Sequence, residues 1–267
     1  DASDLGPKGA PVELWVARDG SVWLVEDKNG NIWGGTDYGV FCLDVRTGKF
    51  KNYRLPGIRK DLAIYNICTD KSGLVWAAGN NNLYFFNIAT DGFTVARLQD
   101  STAIYGIRKN GLAESPDGKG FWLATHHGLL YFDKTSKDFT ASRNNGDSIL
   151  FNTHSSSALC KTAFGHYWYI DNQTKTIIGF EPLNKTIKYT ISLSEVSGIG
   201  YGSTLFEDSN HILWLSTWNY EIFMIDYRHG NMIKRMRHKK NDVTSMAGDF
   251  FWDDLFHFQK KRHIVLC

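Results

Sequence analysis

Proline is scarce in this chain, with five residues in 267, so glycine, with 25, must make most of the turns. Net charge is nearly absent as well. Lys and Arg number 30 against 28 Asp and Glu, which leaves +2 and no electrostatic footprint for nucleic acid or an anionic membrane surface. The one basic run, Lys234-Arg235-Met236-Arg237-His238-Lys239-Lys240, reads as a solvated outer strand or loop. No apolar stretch approaches the length of a membrane span, so no membrane contact by this chain is expected. Asp1 to Pro11 shows no charged-then-apolar secretory pattern; if the natural protein is exported, this chain is expected to be a mature fragment. The four cysteines, Cys42, Cys68, Cys160 and Cys267, match no zinc spacing, and the first three sit among apolar neighbours as buried free thiols would. No metal or other cofactor is expected. Apolar periodicity of 3.6 residues, the mark of helices, is missing too.

What the chain has in quantity is aromatic side chains, 14% of residues with nine Trp, and they repeat. Trp33, Trp76, Trp122, Trp168 and Trp214 stand 43, 46, 46 and 46 residues apart. Their surroundings recur: Glu26-Asp27-Lys28-Asn29-Gly30-Asn31-Ile32 precedes Trp33, and Thr69-Asp70-Lys71-Ser72-Gly73-Leu74-Val75 precedes Trp76. Glu207-Asp208-Ser209-Asn210-His211-Ile212-Leu213 precedes Trp214, and a slightly lengthened version from Glu114 to Phe121 precedes Trp122. Downstream, Asp44, Asn87 and Asp133 fall at one offset and Phe50, Phe93 and Phe139 at another. The fourth repeat keeps Trp168 and little else.

Each unit reads as four short strands. In the first these are Ser21–Val25, Asn31–Thr36, Val40–Asp44 and Phe50–Arg54, parted by Asn29-Gly30, Asp37-Tyr38-Gly39 and Thr47-Gly48. The tryptophan strand is apolar on both sides, as in Leu74-Val75-Trp76-Ala77-Ala78, which a strand buried on both faces requires. A unit of about 45 residues with four strands fits a propeller blade. The expected fold is therefore all-β, a β-propeller of four-stranded blades, incomplete, with five clear blades and partial units at the ends. Residues 1–267 are read as one propeller domain or fragment, with repeats near 20–54, 62–98, 104–142, 155–190 and 202–238 and a partial unit over 243–267. Val12-Glu13-Leu14-Trp15-Val16 fits either a strand completing the last blade or the remnant of a preceding one. Cys68 and Cys160 occupy equivalent places in blades two apart, which excludes a disulfide between them.

The motif Glu26-Asp27-x-x-Gly30-Asn31-Ile32-Trp33-x-Gly35-Thr36-x-x-Gly39-Val40-x-x-x-Asp44, followed by Thr47-Gly48-Lys49-Phe50, resembles the two-component regulator propeller repeat. Asn144 to Ile149 and Lys240 to Ser245 resemble the polar linkers of that family. The resemblance runs from about residue 20 to 254, specific in repeats one, three and five, looser in two and poor in four. It implies the periplasmic sensor region of a Bacteroidetes-type hybrid two-component system. Such a region recognises a glycan-derived oligosaccharide and relays to a histidine kinase, here outside the chain. It further implies more repeats than this chain holds, and leaves room for a homodimer formed through a full-length receptor.

If the strand ending at Glu-Asp is innermost, the Asp27–Gly30 turn lies at one face and the loop after Thr36 at the other, with the inter-blade linkers. Propeller ligands gather where loops of several blades converge. The candidates are Tyr38, Arg59, Tyr65, Tyr105, His126, His127, Arg143, Trp218, Asn219 and Tyr220, with Lys60, Asn144, His154 and the loops Asn80-Asn81-Asn82 and Asn172-Gln173 beside them. Aromatic faces stack on sugar rings, while Asn, Arg and His hydrogen-bond hydroxyls or carboxylates. The repeat tryptophans are read as packing residues and the recurrent acids as turn-formers. No catalytic residue is assigned. His126-His127 with His154 and His166 hint at the histidine sets of propeller polysaccharide lyases, but adjacent strand side chains point to opposite faces. No Gly-x-Ser-x-Gly elbow or phosphate loop occurs. A protein-interaction scaffold is the non-enzymatic alternative to a sensor.

Overall fold

The computed structural model describes residues 23–36, 39–57, 64–79, 82–96, 106–141, 155–194, 196, 202–217, 219, 221–229, 231–237, 242, 255–256 and 265–266. Among them every regular element is a strand. Five four-stranded antiparallel sheets follow one another along the chain. The first is β1 (Trp23–Glu26), β2 (Ile32–Thr36), β3 (Gly39–Asp44) and β4 (Lys49–Tyr53). The second is β5 (Ile64–Thr69), β6 (Val75–Gly79), β7 (Asn82–Asn87) and β8 (Gly92–Val95). The third is β9 (Ile107–Glu114), β10 (Gly120–Thr125), β11 (Gly128–Asp133) and β12 (Asp138–Ala141). The fourth is β13 (Ser156–Lys161), β14 (Tyr167–Asp171), β15 (Thr176–Glu181) and β16 (Thr186–Ser192). The fifth is β17 (Gly202–Glu207), β18 (Ile212–Thr217), β19 (Ile222–Asp226) and β20 (Asn231–Met236). A last pair, β21 (Leu255–Phe256) with β22 (Val265–Leu266), lies in the expected sixth unit, and β21 packs on β17. The Val12–Val16 segment lies outside the described residues.

All five sheets are simple meanders in chain order, and the first strands of successive sheets pack on one another. Strands with the Glu-Asp end are thus innermost. In sheets two to five the ladder between the first two strands slips near the start of the innermost strand, at Ile64/Asn66, Leu123/Thr125, Ser157/Cys160 and Gly202/Thr204. Each slip adds a local bend and twist, which turns a flat meander into a blade. The fourth repeat, poor in sequence, makes the same four strands as the rest.

The core is four seams rather than one centre. Each of the first four repeat tryptophans faces the following blade. Trp33 packs with Ile64 and Tyr84 of blade two, and Trp76 with Phe121 and Phe132 of blade three. Trp122 packs with Tyr167 and Phe180 of blade four, and Trp168 with Leu205 and Leu215 of blade five. Trp122 and Trp168 have no exposed surface, and truncating a core residue of this size costs about 3–5 kcal/mol. Close approach is needed beside Trp33 in the first seam: a Cβ on Gly35, on the same face of β2, would stand 2.8 Å from the Ile64 carbonyl oxygen of the next blade. Burial follows the same plan. β6, β10 and β14 are buried on both faces, as a strand between two sheets must be. β18 instead alternates: Leu213, Leu215 and Thr217 are buried, whereas Ile212, Trp214 and Ser216 are half-buried. At the other end of the series, Leu24 and Phe50 of blade one are 46% and 38% exposed.

Cys68 belongs to the seam of blades two and three, Cys160 to that of blades four and five, and both are free thiols, as is Cys42. The basic run begins on the outer strand β20, as expected; Lys234 on it and Arg237 just past it are exposed, and Arg235 forms a bidentate pair with the Glu221 carboxylate at 2.7 and 2.9 Å.

Candidate functional site

The two ends of the strands differ in chemistry. At one end lie the turns that follow the innermost strands. Asp27 accepts hydrogen bonds from the backbone N–H groups of Asn29 and Asn31 and, through its other oxygen, from Trp33 Nε1 at 2.8 Å. Asp70 does the same for Ser72, Leu74 and Trp76, and Asp208 for Asn210, Ile212 and Trp214. One carboxylate thereby closes the turn and anchors the indole. Burial raises the Asp70 carboxyl pKa, but donation from Lys134, Ser72 and Trp76 outweighs it and holds the group at about 2. The downstream acids Asp44, Asp133 and Asp226 likewise accept from the N–H groups of the next turn. These acids are turn-formers, as the sequence reading has it.

Repeat four lacks the aspartate. Thr162 holds its turn with a hydroxyl, accepting from Phe164 N and donating to the His166 carbonyl. The Trp168 indole then finds an acceptor in the next blade: Nε1 donates to Glu207 Oε2 at 3.0 Å. His166 Nε2 stands 2.9 Å from the same oxygen, and Tyr227 OH donates to Oε1 at 2.7 Å. His211 Nδ1 lies 3.1 Å from Oε1. Burial raises the Glu207 pKa; the nearby His166 imidazole, with donation from Tyr227 and Trp168, overrides it and holds the carboxyl at about 2. His211 also breaks the repeat rule. It stands where Gly30, Gly73, Gly118 and Gly165 stand, and it shares their left-handed backbone at φ 63. A β-carbon there is strained, and the bonds to Glu207 and Tyr227 offset the cost. The substitution was visible in the aligned motifs; the Glu207 cluster it joins was not, because its members are dispersed over 61 residues.

At the opposite end lie the loops after the tryptophan strands. Thr36, Thr125 and Thr217 each donate to a carbonyl across the turn, to Gly39, Gly128 and Glu221. Of the sequence candidates, His126, His127 and Asn219 are placed here, all exposed. Asn219 is drawn into its own blade, its Nδ2 donating to Glu221 Oε2 at 3.4 Å. Asn172, buried, accepts from Ser157 Oγ at 3.2 Å. Tyr65 stands at the ladder slip of β5, between Ile64 and Asn66. Tyr38, Arg59, Lys60, Tyr105, Arg143, Asn144, His154, Trp218 and Tyr220 lie outside the described residues, as do Asn80 and Asn81. His166, grouped in sequence with His126, His127 and His154, is at the other end of the strands, in the Glu207 cluster.

Two groups that sequence reasoning missed join His126. The first is Arg108, near the start of β9, whose NH2 donates to Ser155 Oγ of blade four at 2.6 Å. The second is Asn66 of blade two, buried, whose Nδ2 donates to the Arg108 carbonyl at 2.9 Å while its Oδ1 accepts from Gly111 N at 3.0 Å. Arg108 is therefore held by three blades. The His126 ring lies over Gly106, where a Cβ would come within 1.7 Å of its Cδ2, and His126 N donates to the Gly106 carbonyl. Burial, then the charges of Arg108 and His127, lower the His126 pKa below 6.5. Among the described residues no group of three or more His, Cys, Asp or Glu has a metal-binding arrangement. No helix of the described residues is long and apolar enough to cross a membrane.

The sequence matches no protein-family model and no curated protein. The fold has many likenesses among solved structures. The extracellular domain of one putative hybrid two-component system from B. thetaiotaomicron superposes with a TM-score of 0.58 at 17% identity, over 79% of this chain and 29% of that one. A second such domain from the same organism gives 0.59 at 19% identity, over 81% and 31%. The chain thus spans about three tenths of the length of these two. A catalytically inactive virginiamycin B lyase from Staphylococcus aureus, solved with quinupristin, gives 0.57 at 14% identity over 81% and 69%. The β-propeller domain of Cps50 from Myceliophteria thermophila gives 0.58 at 12% identity over 81% and 73%. Likeness at these identities is likeness of fold, and with the five meandering sheets and their four seams it makes this chain a β-propeller.

Proposed function

We propose that the chain is a ligand-sensing propeller segment of an extracytoplasmic receptor in a two-component system. It binds a glycan-derived oligosaccharide at the loop end, and the signal passes to a histidine kinase outside this chain. The observation that carries this reading is the contrast between the two ends. Carboxylates of the turn end are consumed by backbone and indole donors, whereas the loop end displays imidazole and guanidinium groups on a backbone fixed by neighbouring blades. Donors of blade three held in place by contacts from blades two and four suit a polyhydroxylated ligand, since little ordering cost remains to be met on binding. Support also comes from the fold shared with the two extracellular domains of putative hybrid two-component systems. In this reading the segment lies outside the cytoplasm, in the periplasm of a Gram-negative cell, and the fold it shares with those extracellular domains is the support.

Isothermal calorimetry against a panel of oligosaccharides tests the reading. Saturable binding of one class, weakened by substitutions at the loop end and not at the turn end, is expected. Absence of heat across the whole panel, with dimerisation of the protein instead, would replace the sensor by an interaction scaffold. The likeness to virginiamycin B lyase gives a catalytic reading its own assay: release of a new reducing end or an unsaturated product from any glycan would make the chain an enzyme.

A further inference from the structure

We propose that the mouth around Arg108 and His126 is an anion subsite, which takes a carboxylate or sulfate group of an acidic sugar. The proposal rests on the loop end being the ligand face and goes further by naming the charge of what binds there. Three features of the site argue for it.

The first is convergence of cationic donors. β9 pairs with β10 so that Ile107 lies opposite Thr125, which brings Arg108 and the His126-His127 turn to the same edge of blade three. Burial and the Arg108 charge disfavour protonation of His126. An anion between the two groups removes that penalty. The guanidinium fork matches a carboxylate or sulfate edge in two parallel hydrogen bonds, which an ammonium would not.

The second is how firmly the donors are held. Asn66 spans the Arg108 carbonyl and Gly111 N, so blade two fixes the backbone on both sides of the ladder slip. Ser155 of blade four takes a guanidinium N–H at 2.6 Å and sets the direction of the side chain. Thr125 Oγ1 accepts from His127 N at 3.1 Å and donates to the Gly128 carbonyl at 2.7 Å, while Thr125 N donates to Ser156 Oγ of blade four. The turn is thus rigid although both imidazoles are exposed. An arginine restrained before the ligand arrives loses little freedom on binding, which favours affinity.

The third is Gly106. Its backbone is left-handed, at φ 68, and its missing Cβ is the space that the His126 ring fills. Any other residue there displaces the imidazole from the Arg108 side of the turn. The glycine serves the placement of one exposed histidine, which no packing argument requires.

The test is calorimetry with three tetrasaccharides of equal length, one glucuronate-containing, one sulfated and one uncharged. The acidic sugars are expected to bind at least about tenfold tighter than the uncharged one. Which of the two binds tighter identifies the anion. Arg108→Gln is expected to abolish that advantage. His126→Gln, at an exposed position, reduces it about threefold and covers the case in which Arg108→Gln disturbs the fold. An anion raises the His126 pKa, so affinity for the acidic sugar rises as pH falls from 8 to 6, and affinity for the uncharged one stays flat. Arg46→Gln, at a side chain 80% exposed on another turn, leaves all affinities unchanged. If neutral and acidic sugars bind equally, or Arg46→Gln weakens acidic sugars as much as Arg108→Gln, the anion subsite is refuted while the sensor reading stands. If no sugar binds, both fail.

Discussion

Glu207→Gln removes one charge and almost no volume from the seam between blades four and five. In the folded chain the carboxyl is held at about 2, against 4.5 for the free side chain, with the side chain fully enclosed. The depressed value means that the folded state favours the ionised form. Its stabilisation is complete above the unfolded pKa of 4.5 and is lost as pH falls through the folded value near 2. A gap of about 2.5 units corresponds to roughly 3 kcal/mol at pH 7, and the same relation leaves roughly 1.4 kcal/mol at pH 3. The figure agrees with the about 3–5 kcal/mol that loss of one partner from a buried pair costs. The assay is urea unfolding of wild type and variant, followed by tryptophan fluorescence at pH 7, 5, 4 and 3. The difference between the two proteins, rather than either alone, isolates Glu207 from other carboxylates that protonate in the same range. It should be near its full value at pH 7 and 5 and shrink by half or more by pH 3. A difference that stays constant from pH 7 to pH 3 would show that the carboxyl titrates alike in the folded and unfolded chain, and the account of the His166 imidazole and the Tyr227 and Trp168 donors as partners of a charge would be wrong.

Trp76→Phe, which strips Asp70 of an indole donor in a dry seam, should cost about 2–3 kcal/mol, whereas Trp214→Phe, on a half-buried face, should cost about 1; equal costs would contradict the seam assignment. Gly35→Val forces a side chain against the Ile64 carbonyl and should destabilise by more than about 3 kcal/mol in the same urea assay, with a Val tolerated at wild-type stability as the contrary result. Burial pushes the Cys68 and Cys160 thiols up to about 12, so neither should be alkylated at pH 8 until urea opens the seams. Peptide mass spectrometry reads both sites, and native labelling at the unfolded rate would show that the thiols are not enclosed.

The repeat was legible because packing between like units imposes like residues at like positions. Trp33 and its four counterparts, the apolar strand at Val75–Gly79 and the turn acids at Asp27, Asp70 and Asp208 all recur for one physical reason each. The strand limits read for repeat one match the observed ones to within two residues, and the partial unit over 243–267 contains a paired hairpin. Repeat four keeps little of the motif beyond Trp168, and it folds as one of the five expected blades. There Thr162 closes the turn in place of an aspartate, and Glu207 from the next blade takes the indole. Sequence register cannot display such a substitution, since donor and acceptor belong to different repeats. The loop end is harder for the same reason. His126 and His127 were found as exposed turn residues, but Arg108, Asn66 and Ser155 come from three blades and share no motif.

Four seams, each setting a tryptophan against apolar residues of the next blade, raise a question of order, because apolar contact is non-directional. The polar contacts across the seams are not interchangeable. Blades one and two meet through Asp91 with Lys51 and Tyr53; two and three through Lys134, which bridges Asp70 and Glu114; three and four through the Tyr167 hydroxyl on the Glu114 carbonyl; four and five through Glu207. The pairings of the last three seams, enclosed where that of Asp91 is open to solvent, leave a carboxylate or hydroxyl stranded if a blade docks on the wrong partner. Greasy faces supply the adhesion, and the polar contacts act as an address that allows near-identical units to assemble in one sequence only.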